Sequence, residues 1–217
     1  KSYRDLMTEA GLGAIKDAGI QGDEIDAVYI GTMSTGKLVG QEHVAPLLLD
    51  GAGLADLHLP ATRIEAAGAS GGVAFRQAVQ AIRSGSADIV VVGGIEKMTD
   101  VSDADAQAIA SAGIDQEWEH FFGATDAALH ALVAKRHMAE FGTTREELAQ
   151  VAIKNHAHGA KNPLAQFRKA IDIDTVLKAP MVADHSQCSI APPSPTARRA
   201  SSCAATMCWR RTAKMPC

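Results

Sequence analysis

Two hydrophobic patterns alternate along the first hundred residues. Residues 3–18 carry an apolar stripe with helical spacing, with Ser2 and Asp5 as a capping pair and Gly19 as the stop. The same reasoning predicts a strand over 26–31, a loop over 32–40, a helix over 43–54, a strand over 62–66, a helix over 70–84 and a buried strand over 87–94. Short links between strands and helices predict an α/β fold, a mostly parallel sheet with helices on both faces.

After residue 99 the pattern becomes mainly helical. Thr144 and Glu147 form a capping box for one of the predicted helices. In chain order we predict a weak helix or linker over 103–112, helices over 125–141 and 144–158, a polar break over 155–163, and a short helix with an irregular run over 171–183. The chain is therefore divided into an α/β core over 1–115, a helical insertion over 116–184 and a remainder over 185–217.

Charge and cysteine are distributed unevenly over the 217 residues, whose net charge is −4. All acidic residues precede residue 185, so the main body is acidic and is no nucleic-acid surface. The four cysteines all follow residue 187 and have no metal-type spacing, which gives a disulfide framework no support. No apolar run is long enough to span a membrane, and we expect a soluble cytoplasmic protein with no membrane partner.

The segment over 61–72 organises the predicted core. A strand runs into the small residues Gly68-Ala69-Ser70-Gly71-Gly72, and a helix follows at once. Such a turn presents its last residue beside the free N–H groups of the helix, as in a nucleophile elbow. A phosphate-cradling loop is a second interpretation, and a purely steric Gly-rich turn is a third, since the segment matches neither G-x-G-x-x-G nor the P-loop.

Ile64-Glu65-Ala66-Ala67 and Ala69-Ser70-Gly71-Gly72 resemble the thiolase segment V-E-A-A-C-A-S-G-G, in which the cysteine accepts the acyl group. Here Gly68 stands at the cysteine position and offers only its backbone N–H, a possible oxyanion donor. Ser70 has a hydroxyl but no visible base, so a capping role is the better interpretation. Gly93–Thr99 resembles the G-G-x-E-x-M signature, which alone would indicate a tight turn with a structural role.

The resemblance implies the N-terminal half of a thiolase followed by its loop domain, with a strand missing before the first helix. It is nearest to archaeal-type acetyl-CoA acetyltransferases and sterol-carrier-protein-type thiolases, which transfer acyl groups between acyl-CoA thioesters. The family's second-half histidine in G-H-P and cysteine in C-x-G do not occur in the sequence. We therefore predict no thiolase turnover. The alternatives are a non-catalytic acyl-CoA-binding or assembly subunit and an unrelated doubly wound domain.

A run over 154–168 resembles the family's K-N-H-x-H and N-P-x-A-Q-F motifs. The resemblance implies that Lys154, His156, Lys161 and Arg168 meet coenzyme A, whose thioester is a substrate rather than a cofactor. A solvated basic helix end is an equally good interpretation. The two histidines lack a third ligand, so we predict no metal. The implied partners are acyl-CoA, further copies in a homodimer or tetramer, a hydroxymethylglutaryl-CoA synthase and a zinc-ribbon/OB-fold protein.

Residues 185–217 fit neither periodicity and are rich in Ser, Ala, Arg, Pro and Cys. A disordered tail is one interpretation. The other is a frameshift, because GC-rich codons for the family's I-S-D-G-A, read one base out of register, give the sequence Pro193 to Ala197. We hypothesise that this tail is non-native. The reading frame of the gene around codon 185 decides between the two.

Overall fold

The computed structural model describes residues 1–183, 186–187 and 202–210, and for the last two ranges the backbone alone. Contacts divide the chain into two units, and each is described by itself. The first comprises residues 1–101 with the strand over 202–210, and the second begins at Ser102. The boundary predicted from the sequence follows residue 115, and both divisions assign the helices beyond that point to one unit. The tail hypothesis falls largely outside the described residues and stays a prediction.

The first unit alternates helices and strands as the hydrophobic pattern predicts. Its elements are α1 (Tyr3–Ala18), β1 (Ala27–Gly31), α2 (Thr35–Val39), α3 (Ala45–Ala52), β2 (Ala61–Ile64), α4 (Ser70–Ser84) and β3 (Ile89–Lys97). The predicted capping box of α1 is present, with Ser2 and Asp5 each accepting a backbone N–H of the other. Gly19 ends the helix in the left-handed conformation, with φ of 65°.

Three neighbouring strands of the sheet are parallel, with β1 between the other two. β1 pairs in parallel with β2 on one side and with β3 on the other, so that Gly31 lies opposite Ile64 and Gly94. The strand over 202–210 pairs antiparallel with β3 and is the fourth strand of the sheet as the structure describes it. The prediction of a mostly parallel α/β sheet is confirmed.

Alternating residues of the strands face two separate cores. Val28, Ile30 and Val91 pack with residues of α1 and α3 on one face of the sheet. Ala27, Val90 and Val92 pack with α4 on the opposite face. α4 contributes Ala74, Ala78, Ala81 and Ile82, whose helical spacing places them on one stripe. Helices therefore cover both faces, as predicted.

Local predictions differ from the structure in three places. The predicted loop over 32–40 contains the short helix α2, which begins after Ser34. The Gly93–Thr99 segment is not a tight turn, because β3 continues through both glycines to Lys97. The polar break begins later than predicted, since the helix that carries His156 and His158 ends at Gly159. In the first two cases contacts with residues distant in the sequence outweigh the local turn signal, because Glu96 binds the loop before α2 and β1 pairs with both glycines.

The second unit is helical in its described part. Its elements are α5 (Asp103–Ala110), α6 (Asp126–Phe141), α7 (Arg145–Gly159), α8 (Ile173–Leu177), β4 (Met181–Ala183) and β5 (Ser186–Gln187). The capping box of Thr144 and Glu147 at the start of α7 is confirmed. Ala149, Ala152 and Val176 join α7 to α8 in a small apolar core. Among the described residues, the structure has no helix with the length and apolar character that crossing a membrane requires.

Candidate functional site

The bend between β2 and α4 is the predicted sharp strand-to-helix turn. β2 ends at Ile64, a single 3₁₀ turn covers Ala67–Ala69, and α4 begins at Ser70. Ala67 has a φ of +47°. This left-handed conformation is unfavourable for a residue with a Cβ and costs of order 1–3 kcal/mol. The bend is therefore strained at the residue that immediately precedes position 68.

Side-chain hydrogen bonds hold this strained turn on both sides. The Ser70 hydroxyl accepts the N–H of Ala66 at 2.9 Å and donates to the carbonyl oxygen of Ala67 at 2.7 Å. The Glu65 carboxylate accepts the N–H of Ala67 at 2.5 Å. The backbone N–H of Ala69 adds a bond of 2.9 Å to the carbonyl of Ala66. The side chains of the segment thus stabilise the conformation that its backbone alone disfavours.

Glycines let the start of α4 lie directly on the sheet. A Cβ at Gly31, the last residue of β1, would come within 2.6 Å of the carbonyl carbon and oxygen of Ser70. The same atom would lie 2.7 Å from the Cα of Gly71. On β3, a Cβ at Gly94 would meet nothing closer than 3.6 Å. The close approach of helix and strand therefore depends on Gly31 and not on Gly94.

Position 68 is exposed and open. A Cβ built on Gly68 would have no atom within 4 Å, and the φ of this residue lies outside the left-handed region. A side chain could occupy this position without displacing its neighbours. Ala69 is the N-cap of α4 and supplies no side-chain cap, so the N–H groups of the first turn receive no side-chain acceptor from it. The bend can present a group beside the positive end of a helix, but the chain has none there.

Glu96 ties the loop after β1 to the end of β3. Its carboxylate accepts the N–H of Met33 at 2.7 Å, the hydroxyl of Thr32 at 3.2 Å and the N–H of Ser34 at 3.4 Å. Arg63 of β2 donates to the carbonyl of Met33 at 2.8 Å. Together these contacts join the carboxyl ends of all three parallel strands, the edge at which open α/β sheets bind ligands.

The hydrophobic pattern and motifs of the sequence do not predict this role of Glu96 and Arg63. The only available signal was the resemblance of the Gly93–Thr99 segment. Tyr3 lies near the same network and is 6% exposed. Burial raises the pKa of the Tyr3 phenol well above its usual range, and the Glu96 carboxylate acts in the same direction.

The four residues expected to meet coenzyme A lie at the end of α7 and in the loop that follows. The exposed Lys154 and the partly buried His156 belong to α7, and the exposed Lys161 and Arg168 follow it. The ring of His156 lies 5.5 Å from that of Phe167, and its Nδ1 lies 3.2 Å from the carbonyl of Lys169. Loop and helix end thus form one local cluster.

Arg168 and Lys161 occupy different places in this cluster. Arg168 donates to the carbonyl of Pro163 at 3.1 Å and so folds back over its own loop. Lys161 lies in the turn immediately after α7.

Gly68 belongs to the first unit, whereas the four basic residues belong to the second. Across the part of the chain that the structure describes, no group of three His, Cys, Asp or Glu side chains is arranged to hold a metal ion.

The comparison with known families decides the assignment of the fold. The profile of the thiolase N-terminal domain matches residues 1–186. This chain belongs to the thiolase family. Its thiolase fold agrees with a solved structure titled Ltp2-ChsH2(DUF35) aldolase, which it matches with a TM-score of 0.66 and 26% identity over 87% of this chain and 47% of the other.

Curated relatives of the chain include two archaeal enzymes named acetyl-CoA acetyltransferase. The protein of Methanothermobacter thermautotrophicus is 51% identical over 84% of this thiolase chain, and that of Methanocaldococcus jannaschii is 50% identical over 85%. Sterol carrier protein 2 of Gallus gallus is 31% identical over 84% of the chain. The chain spans about half the length of the archaeal relatives, 47% and 46%, and 34% of the avian protein.

Proposed function

We propose that this thiolase chain binds acyl-CoA, that its parent activity is acyl transfer between acyl-CoA thioesters, and that the chain itself turns over no thioester. Two proteins named acetyl-CoA acetyltransferase are 51% and 50% identical to the chain, and this similarity supports the parent activity. The substrate is a coenzyme A thioester, and no separate cofactor takes part in the proposed reaction.

The geometry at position 68 carries this proposal. Covalent acyl transfer needs a thiolate that attacks the thioester carbonyl, forms a protein-bound thioester and releases the thiolate of coenzyme A. The strand-to-helix bend supplies the place and the space for such a side chain, but Gly68 has no sulfur. Its N–H remains as a donor for the oxyanion of the tetrahedral intermediate. A scaffold for transfer is thus present without its acceptor.

The proposal extends to the basic cluster at the end of α7. Exposed Lys154 and Lys161 can meet phosphate groups of coenzyme A as mobile point charges. Arg168 and His156 are already oriented by contacts within their own loop, which suits them to a bound ligand of defined shape. Phosphate recognition by these residues does not require the group that is missing at position 68.

A second candidate function is a non-catalytic acyl-CoA-binding or assembly subunit. Gly68 favours it, because the bend keeps its strained geometry although no acyl acceptor is present. For the parent enzyme, and equally for this second role, we propose a homodimer or tetramer, with a hydroxymethylglutaryl-CoA synthase and a zinc-ribbon/OB-fold protein as further partners. The aldolase structure that the chain matches has a DUF35 component in its title, which supports the search for a second polypeptide.

Calorimetric titration of the full chain with acetyl-CoA, together with a thiolysis assay, tests the proposed function. We expect saturable binding without measurable thioester cleavage. Because exposed charge contacts contribute about 0.2–1 kcal/mol each, the double variant K154A/K161A should weaken binding roughly twofold to thirtyfold. Lys16→Ala, an exposed lysine of α1, is the control and should change nothing. Absence of binding, or turnover by the unaltered chain, would contradict the proposal.

A further inference from the structure

We propose that Ser70 is a positioning residue of the candidate site: its hydroxyl holds Ala67 in the left-handed conformation and so orients whatever side chain position 68 carries. The inference rests on the proposed function, because a defined geometry at position 68 matters for acyl transfer, the parent activity of the scaffold. Ser70 itself is not the acceptor. It is 5% exposed, and both hydrogen bonds of its hydroxyl go to the backbone of the bend.

The two hydrogen bonds of Ser70 enclose the strained dihedral angle. The bond to the N–H of Ala66 lies before the φ rotation of Ala67, and the bond to the carbonyl of Ala67 lies after it. Rotation of Ala67 toward the right-handed region would separate these two groups and break at least one of the bonds. The hydroxyl therefore opposes the relaxation that an alanine at this place would otherwise undergo.

Ordinary helix capping does not explain these contacts. An N-cap hydroxyl accepts an N–H from the second or third residue of the helix that follows it. Ser70 is the first residue of α4 rather than its N-cap, and its hydrogen bonds run upstream into the bend. Its backbone is held in turn by the close contact with Gly31 of β1. Ser70 thus links a rigid sheet to the strained residue.

Glu65 provides a weaker second hold on the same residue. Its carboxylate accepts the N–H of Ala67 at 2.5 Å, but the side chain is exposed to solvent. Water can replace an exposed acceptor, whereas it has poor access to the buried hydroxyl of Ser70. Loss of the Glu65 carboxylate should therefore affect position 68 less than loss of the Ser70 hydroxyl.

A thiol introduced by Gly68→Cys reports on orientation at this position in the full-length chain. The thiol would lie next to the uncapped N–H groups of α4, which favour a thiolate. Its alkylation by iodoacetamide is measured against pH by mass spectrometry of the tryptic peptide over 64–76, which contains no native cysteine. For G68C we expect a midpoint below the ordinary cysteine value of about 8.5.

Removal of the hydroxyl should move this midpoint. In G68C/S70A we expect it to rise toward about 8.5, with a roughly threefold to tenfold slower reaction at pH 7. S70T keeps a hydroxyl and should preserve the profile. Adding A67G to G68C/S70A should restore the low midpoint of G68C, because glycine adopts the left-handed conformation without strain. Ser84→Ala, at the other end of α4, is the matched serine control and should leave the profile unchanged.

The proposal is overturned if folded G68C/S70A has the same pH profile as G68C, if G68C itself titrates as an ordinary cysteine, or if A67G restores nothing. Should S70A prevent folding, the comparison moves to the A67G/G68C background. In that background, the proposal requires A67G/G68C and A67G/G68C/S70A to have the same pH profile of alkylation. A difference between the two profiles contradicts the proposal. Alkylation needs no acyl-CoA, so a failure of acetyl-CoA binding refutes the proposed function and leaves this result standing.

Discussion

Gly31→Ala is expected to separate α4 from the sheet. The added methyl group would lie 2.6 Å from the carbonyl carbon and oxygen of Ser70 and 2.7 Å from the Cα of Gly71. Non-bonded carbon atoms prefer separations of about 3.5–4.0 Å, so the start of the helix must shift by roughly 1 Å. The atoms in contact belong to the backbone and cannot rotate away.

Overpacking of this kind costs about 1–3 kcal/mol, and the rigid backbone places Gly31→Ala at the upper end of that range. With a urea dependence of about 1–3 kcal/mol per molar, the unfolding midpoint of the first unit should fall by about 1–3 M. Gly94→Ala is the matched control on the neighbouring strand. Its nearest contact would be an ordinary 3.6 Å, and loss of glycine flexibility should make it neutral or stabilising by about 0.5–1 kcal/mol.

Pulsed hydrogen exchange with mass spectrometry at increasing urea concentration is the suitable assay. Peptides from β1 and α4 report the first unit separately from the helical second unit, so two-state behaviour of the whole chain need not be assumed. The reasoning is refuted if Gly31→Ala has the midpoint of the unaltered chain, or if Gly94→Ala loses as much stability.

Three further predictions follow from side-chain contacts. Glu96→Ala leaves three donors of the loop after β1 without their acceptor and should cost at least about 2 kcal/mol, with faster amide exchange in that loop and an intermediate effect for Glu96→Gln. The raised pKa of Tyr3 means that its contribution to stability is complete below the unfolded value of about 10 and is lost as pH rises above it. The free energy of unfolding, measured with urea from pH 9 to 12, should therefore decline less for Tyr3→Phe than for the unaltered chain. An equal decline in the two proteins contradicts this prediction. Thr144→Ala should cost about 0.5–2 kcal/mol and expose the first turn of α7 to exchange, and unchanged protection there would contradict its capping role.

The fold could be predicted where its signals are local. The caps of α1 and α7 follow from Ser2 and Thr144 with an acidic residue three positions on, and their helices begin there. The apolar stripe of α4 and the glycine at position 85 predict both ends of that helix, Ser70 and Ser84, correctly. The short helix α2 could not be predicted, because the contacts that hold its region come from Glu96, more than sixty positions away.

The bend at the candidate site could be predicted from the sequence, but the hydrogen bonds that hold the bend could not. Small residues and a following amphipathic helix indicate a sharp turn at position 68. Nothing in the local sequence predicts that Ala67 takes a left-handed conformation, since alanine disfavours it. Ser70 and Glu65 lie close by in the sequence, but the sequence does not indicate that their side chains bind the backbone of the bend. The close packing of the bend on the sheet involves Gly31, which belongs to another strand.

We propose that this chain is a thioester-exchanging scaffold without its acyl acceptor. The most direct measurement is incubation of the full chain with isotopically labelled acetyl-CoA, followed by mass spectrometry of the tryptic peptide over 64–76. The account predicts no acetyl group on this peptide of the unaltered chain, and a covalent acetyl group on the G68C variant. An acetyl group on the peptide that contains Gly68, or none on folded G68C that binds acetyl-CoA, would contradict it.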